Sequence, residues 1–117
     1  MKSASKQTQG KRLNRSFAER CYALLTQVPK GRVTTYQELA HALGGKAYRA
    51  VGTAMKLNTN APKVPCHRVV KSDGTLGGYA LGAKKKREIL RRERIKIEGD
   101  KIIDLKKILW NRSRFRK

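Results

Sequence analysis

The chain is poor in the residues that build disulfide frameworks and metal centres. It has two cysteines, Cys21 and Cys66, and two histidines, His41 and His67. Two cysteines make no disulfide framework. A four-ligand zinc site would have to seat the neighbours Cys66 and His67 on one ion, which rejects that reading. No metal and no other cofactor is expected. Long apolar runs and signal-like segments are missing too, so no membrane helix and no membrane partner are expected. The chain reads as soluble and intracellular, and a monomer is expected. It shows no internal repeat. Acidic residues are scarce: 8 Asp+Glu stand against 29 Lys+Arg in 117 residues, a net charge of +21. Such a charge opposes compaction unless a polyanion neutralises it, and nucleic acid is the natural partner. The length suits one domain with a modest core.

Residues 1–14 are polar and basic and read as a disordered arm. Ser16-Phe17-Ala18-Glu19 is a capping-box pattern, and Phe17, Cys21, Leu24, Leu25 and Val28 follow at helical spacing. Cys21 on that stripe reads as a core thiol. Pro29-Lys30-Gly31 turns the chain. Thr35 and Glu38 suggest a second capping box, opening a helix that Gly44-Gly45 stops. Lys46 to Leu57 reads as another helix. Two short helices around a glycine turn make a helix-turn-helix, with Lys46, Arg49 and Lys56 available for phosphates.

Val69-Val70 and Leu76-Gly77-Gly78-Tyr79 flank an Asp73-Gly74 turn, which predicts a hairpin acting as a wing. Ala83 to Glu93 predicts a basic helix with Ile89 and Leu90 inward and its lysines and arginines solvated or on phosphate. A terminal hairpin is expected around Glu98-Gly99-Asp100, then a last helix capped by Asp104, then a basic, mobile tail from Arg112.

The chemistry concentrates in Val64-Pro65-Cys66-His67-Arg68-Val69-Val70. A thiol becomes a useful nucleophile when a base takes its proton or positive charge stabilises the thiolate. Adjacent strand residues point to opposite faces, so His67 reaches Cys66 only through a water relay or a turn. Taken alone, a Cys-His pair is weak evidence of a site.

The chain resembles the O(6)-alkylguanine-DNA alkyltransferases, the methylated-DNA–protein-cysteine methyltransferases, over about residues 16 to 99. The motifs are Val28-Pro29-Lys30-Gly31-Arg32-Val33, Tyr36-Gln37-Glu38-Leu39-Ala40, Arg49 to Met55 with Asn58, Pro65-Cys66-His67-Arg68-Val69-Val70, Gly77-Gly78-Tyr79 and Lys86 to Glu93. The expected fold is mainly α with small β hairpins, a winged helix-turn-helix-like alkyltransferase domain over residues 15–103, followed by a basic C-terminal helix and tail over 104–117.

The resemblance implies one-shot repair of double-stranded DNA containing O(6)-alkylguanine, with Cys66 as alkyl acceptor. It makes His67 the base through a bridging water, oriented by Glu93. Asn58 holds the loop, and Tyr36 polarises or protonates the leaving guanine. Val69, Tyr79 and Ala80, with Tyr36, contact a flipped base, since an alkylated base inside a duplex is out of reach. Arg49 fills the vacated stack in the minor groove, and Thr35, Ala50, Lys56 and Arg68 are expected against DNA.

Against that family, the chain is expected to lack the amino-terminal domain that most members carry, with only the basic arm in its place. Thr59, Ala80, Leu81 and Arg94 also depart from the family's usual residues. Single-domain relatives that bind lesions without chemistry, with tryptophan in place of the cysteine, supply the competing function: a lesion-binding module that recruits other repair factors. Cys66 favours chemistry. A basic helix-turn-helix regulator or architectural protein is the third reading, and the setting of Arg49 and Tyr79 speaks against it.

Overall fold

The computed structural model describes residues 16–45 and 47–116. The basic arm at 1–14 and the phosphate contact expected of Lys46 lie outside the described residues. The order of elements is α1 (Phe17–Leu25), β1 (Thr34–Thr35), α2 (Tyr36–Ala42), α3 (Tyr48–Lys56), a 3-10 turn (Cys66–Arg68), β2 (Val69–Val70), α4 (Ala83–Arg92), β3 (Ile97–Glu98), β4 (Lys101–Ile102), α5 (Leu105–Ile108) and a second 3-10 turn (Arg112–Arg114). The fold is mainly α with small sheets.

Ser16 forms the capping box in full: its Oγ accepts the Glu19 N–H at 3.1 Å, and its own N–H donates to Glu19 Oε1 at 3.0 Å. The second box forms by half. Thr35 Oγ1 accepts the Glu38 N–H at 3.0 Å, but the Glu38 carboxylate turns away to Arg112, taking its backbone N–H at 2.6 Å and two guanidinium donors. A charged fork outcompetes a single backbone donor for a carboxylate. The tail expected to be mobile is therefore fastened at Glu38. Gln27 Nε2 donates to the Arg116 carbonyl at 2.6 Å, and Phe115 is buried with Leu24, Leu25 and Val28.

The helix-turn-helix is present as α2 and α3 around Gly44-Gly45. Gly44 takes φ 91°, a left-handed conformation that suits glycine at a helix end. Helix α3 starts at Tyr48, two residues after the expected start. It buries Val51, Ala54 and Met55 and leaves Arg49 and Ala50 exposed.

The predicted wing hairpin does not form. β2 instead pairs in parallel with β1, Thr34 opposite Val69 and Thr35 opposite Val70. The reason lies in burial. Val69 and Val70 are both fully enclosed and point into different core clusters, Val69 with Leu25 and Leu39, Val70 with Val33, Leu76 and Leu90. Burial on both faces suits an internal parallel pair rather than a half-solvated hairpin. Asp73-Gly74 still makes the turn, and Lys71 N–H reaches the Thr75 carbonyl at 2.9 Å. The returning segment then leaves β2, because Leu76 N–H goes to the Asp100 carbonyl at 3.0 Å. The terminal hairpin β3–β4 forms as expected, with Ile97 opposite Ile102. Asp104 precedes α5 with φ 55° and no side-chain cap bond, so the expected cap is missing.

Candidate active site

The 3-10 turn at Cys66–Arg68 places the chemistry. It replaces the strand geometry that would split Cys66 and His67 onto opposite faces. Pro65 caps the turn, and Arg68 N–H returns to the Pro65 carbonyl at 2.9 Å. Cys66 and His67 are each 2% exposed.

Asn58, just past the C-terminus of α3, is buried and holds the site from the other side. Its Nδ2 donates to Cys66 Sγ at 3.2 Å and to the Val64 carbonyl at 2.9 Å, and its Oδ1 accepts the Asn60 N–H at 2.9 Å. One amide thus ties the loop to the sulfur. A donor aimed at sulfur stabilises negative charge there.

Behind the thiol, His67 Nε2 meets Glu93 Oε2 at 3.0 Å. Burial pulls the His67 pKa below 6.5 and outweighs the pull of Glu93, so the imidazole is neutral near pH 7. A carboxylate can only accept, which assigns the ring proton to Nε2. Nδ1 is left with a lone pair, buried and without a hydrogen-bond partner among the described residues. Burial alone would raise the Glu93 pKa. Arg68 and His67, hydrogen-bonded to the carboxylate, reverse that and hold it below the usual carboxylate value.

Arg68 is the residue whose expected place changes most. Its Nε and Nη2 fork onto Glu93 at 2.9 and 2.7 Å, and its Nη1 donates to the Val28 carbonyl at 2.8 Å. All three nitrogens are engaged inside the protein, so the side chain is not set out for DNA. Thr35, 3% exposed, is likewise an internal helix cap. Neither fits the DNA contact expected of it.

Beyond the sulfur lies a cleft of about 360 Å³, lined by Tyr36, Arg49, Gly52, Lys56, Cys66 and Tyr79, with Thr53, Met55, Lys71 and Gly78 completing the wall. It gathers three cations and no carboxylate. Burial raises the Tyr36 phenol above its ordinary value, so it keeps its proton. Tyr79 is pushed up to about 12 by the same cause, and its ring stands edge-on to His67 with centroids 6.1 Å apart. Gly77 lets the loop pass close to Tyr36: a Cβ there would sit 3.1 Å from the Tyr36 hydroxyl. Ala50 is exposed one residue after Arg49, and Ala80 is exposed one residue after Tyr79. Val69 is fully buried and does not line the cleft, and its carbonyl accepts Lys86 Nζ at 2.6 Å.

Lys86 is the functional-looking residue that sequence reasoning missed. Expected on the surface, it is fully buried. Its ammonium donates to the carbonyls of Val69, Leu76 and Gly78, and so fastens β2 to the loop that carries Tyr79. Burial lowers its pKa to about 8, which still leaves a cation at neutral pH. The available signal was spacing: Lys86, Leu90 and Glu93 lie at i, i+4 and i+7, the inward stripe of α4. Lys86→Met should destabilise the fold by roughly 2 kcal/mol, because it strips buried carbonyls of their donor. Urea denaturation checks this, and an unchanged midpoint would refute it.

A family model described as 6-O-methylguanine DNA methyltransferase, DNA binding domain, matches residues 16–95. The chain belongs to this family. It is 47% identical over 91 residues to the bifunctional methyltransferase/endonuclease of Picrophilus torridus, covering 77% of this chain and 30% of that one. It is 43% identical over 81 residues to the methylated-DNA–protein-cysteine methyltransferase of Candida glabrata, covering 68% and 39%. The chain thus spans well under half the length of these two relatives. Among solved structures it is similar to S. pombe Atl1 in complex with damaged DNA containing O6-carboxymethylguanine, with a TM-score of 0.72 and 30% identity over 81% of this chain and 94% of that one. Mycobacterium tuberculosis OGT in complex with DNA gives a TM-score of 0.66 and 40% identity over 68% and 50%. No described helix is long and apolar enough to cross a membrane.

Proposed function

We propose that this protein repairs DNA by moving an alkyl group from the 6-oxygen of guanine to Cys66, irreversibly and once per molecule. The observation that carries the reading is Cys66 at a cationic cleft, with Asn58 donating to its sulfur and a buried His67–Glu93 pair behind it. His67 Nδ1 takes the thiol proton through a bridging water. The thiolate attacks the alkyl carbon as the carbon–oxygen bond breaks, and the electron pair stays on guanine. Tyr36 donates a proton to the departing base and recovers one through solvent. In net terms the thiol hydrogen ends on guanine and the alkyl group on sulfur. A thioether has no built-in leaving route, so turnover stops. Arg49 and Lys56 are assigned to the DNA, with Arg49 occupying the gap left by the extruded base. Tyr79 walls the base cleft.

The fold likeness to Atl1 extends over 94% of that chain, and it supports a second reading as a lesion binder without chemistry. Cys66 favours transfer. Incubation with methyl-labelled O(6)-methylguanine DNA, followed by mass spectrometry, should place one label per chain on Cys66. Lesion-selective binding without label would establish the second reading.

The pH dependence follows from the relay. His67 works as a base only when neutral, and its pKa lies below 6.5. The transfer rate should therefore hold near pH 7 and fall on acidification, with a midpoint below 6.5. Glu93 sets the sign for stability. Its folded pKa lies below the ordinary 4.5, so its contribution is complete above 4.5 and is lost as pH falls through the folded value. Single-turnover rates, with circular dichroism at each pH, separate the two effects. A rate rising in acid would contradict the relay.

A further inference from the structure

Tyr48 is the first residue of α3 and stands beside Arg49. It is 39% exposed, one of three large hydrophobic side chains that the described surface leaves open. An aromatic ring left in water at the head of a recognition helix calls for an occupant.

Its position is specific. Tyr48, Gly52 and Met55 are spaced i, i+4 and i+7, which puts them along one face of the helix. Gly52 and Met55 line the Cys66 cleft. Tyr48 therefore stands one turn above the cleft wall, at its mouth. A second groove of about 400 Å³ opens there, lined by Tyr36, Gln37, Tyr48, Lys71, Ser72 and Asp73. The two hollows share Tyr36 and Lys71.

The contacts Tyr48 makes within the protein are light. Its hydroxyl lies 3.4 Å from His41 Nε2, and the rings are tilted at 58° with centroids 6.1 Å apart. These hold the ring beside His41 of α2 and leave the residue exposed. Lys71 supplies a cation in the same groove, suited to the backbone of a strand lying on the ring.

We propose that Tyr48 is an aromatic platform at the cleft mouth that stacks on a base of the lesion-bearing strand and helps keep the duplex open while Arg49 fills the gap. This rests on the base-flipping reading above. The ligand class is a nucleobase offering its π face, and the contact is indifferent to sequence. Arg49 and Tyr48 then divide the work: one replaces the extruded guanine in the stack, the other holds the strand beside it.

Single-turnover methyl transfer is compared for the parent, Tyr48→Ala, Tyr48→Phe and His41→Ala. Each is tested on lesion duplex and on free O(6)-methylguanine base. In parallel, 2-aminopurine beside the lesion reports unstacking when each change is made in a Cys66→Ala background. Tyr48→Ala should slow duplex repair about tenfold and weaken the 2-aminopurine signal, since stacking on an aromatic ring carries a term of that size. It should leave the free-base rate unchanged. Tyr48→Phe keeps the ring and should stay within about twofold of the parent, as should His41→Ala. If Phe and His41→Ala lose as much as Ala, Tyr48 merely pins α3 to α2, and the proposal fails. Equal losses on duplex and free base would make it a pocket residue, and no loss at all would make it idle, and either overturns the platform. The fluorescence arm needs no transfer, so a failure of the transfer reading shows separately, as a parent protein that takes up no label.

Discussion

Cys66→Ala should abolish alkyl transfer while leaving DNA binding within a few-fold of the parent. The loss is complete because no second thiol can take over. Cys21 is fully buried on α1, and burial pushes its pKa up to about 11, so it is neither reachable nor ionised. Binding survives because the cations that line the cleft, Arg49, Lys56 and Lys71, are untouched. The fold survives as well. Asn58 keeps its bonds to the Val64 carbonyl and the Asn60 N–H, and one small buried side chain costs on the order of 1 kcal/mol. Cys66→Ser should be equally silent, since a neutral hydroxyl lacks the nucleophilicity of a thiolate. Counting label bound per chain, with gel-shift affinity on the same samples, tests both halves. Label found on Cys21, or more than one alkyl group per molecule, would end the single-acceptor account.

Local signals carried the helical part of this fold. The Ser16 capping box, the Gly44-Gly45 stop and the apolar spacing of α1 and α3 each involve residues within a few positions of one another, and such patterns are written directly in the chain. Apart from the missing Asp104 cap, which is local, the main misses are long-range. Val69-Val70 was free, as far as local pattern goes, to pair forward in a hairpin or back to Thr34-Thr35, and only burial on both faces decides for the parallel pair. Glu38 had a local partner at Thr35 and a distant one at Arg112, and the distant charge won.

At the site the same division holds. Cys66, His67, Glu93 and Asn58 were identified by motif resemblance, and the structure joins them in two buried pairs, Asn58 on the Cys66 sulfur and Glu93 on His67. Basic residues defeated the reading because charge says nothing about direction. Arg68 and Lys86 look like surface cations in a chain so rich in them. They are inside, one balancing Glu93 and the other satisfying carbonyls. A buried cation shows itself in a sequence only through helical register, and Lys86 had that register with Leu90 and Glu93.

Arg49→Ala should separate flipping from binding. Arg49 is exposed in the first turn of α3, and no ion pair holds it among the described residues. Removing it disturbs neither the core nor the His67–Glu93 pair behind Cys66. Other cations still hold the backbone, so affinity for duplex should drop only a few-fold. The work lost is unstacking, a few kcal/mol per flipped base. Each 1.36 kcal/mol is about tenfold in rate, so repair in duplex should slow on the order of 100-fold. A free O(6)-methylguanine base has no stack to leave, and the variant should consume it at the parent rate. A short single strand should fall between, nearer the free base. Single-turnover rates on the three substrates decide the matter. Equal losses on all three would place Arg49 in the support of the cleft, and a loss confined to affinity would make it one phosphate contact among many. Only a selective loss on duplex is what a side chain standing in for an absent base produces.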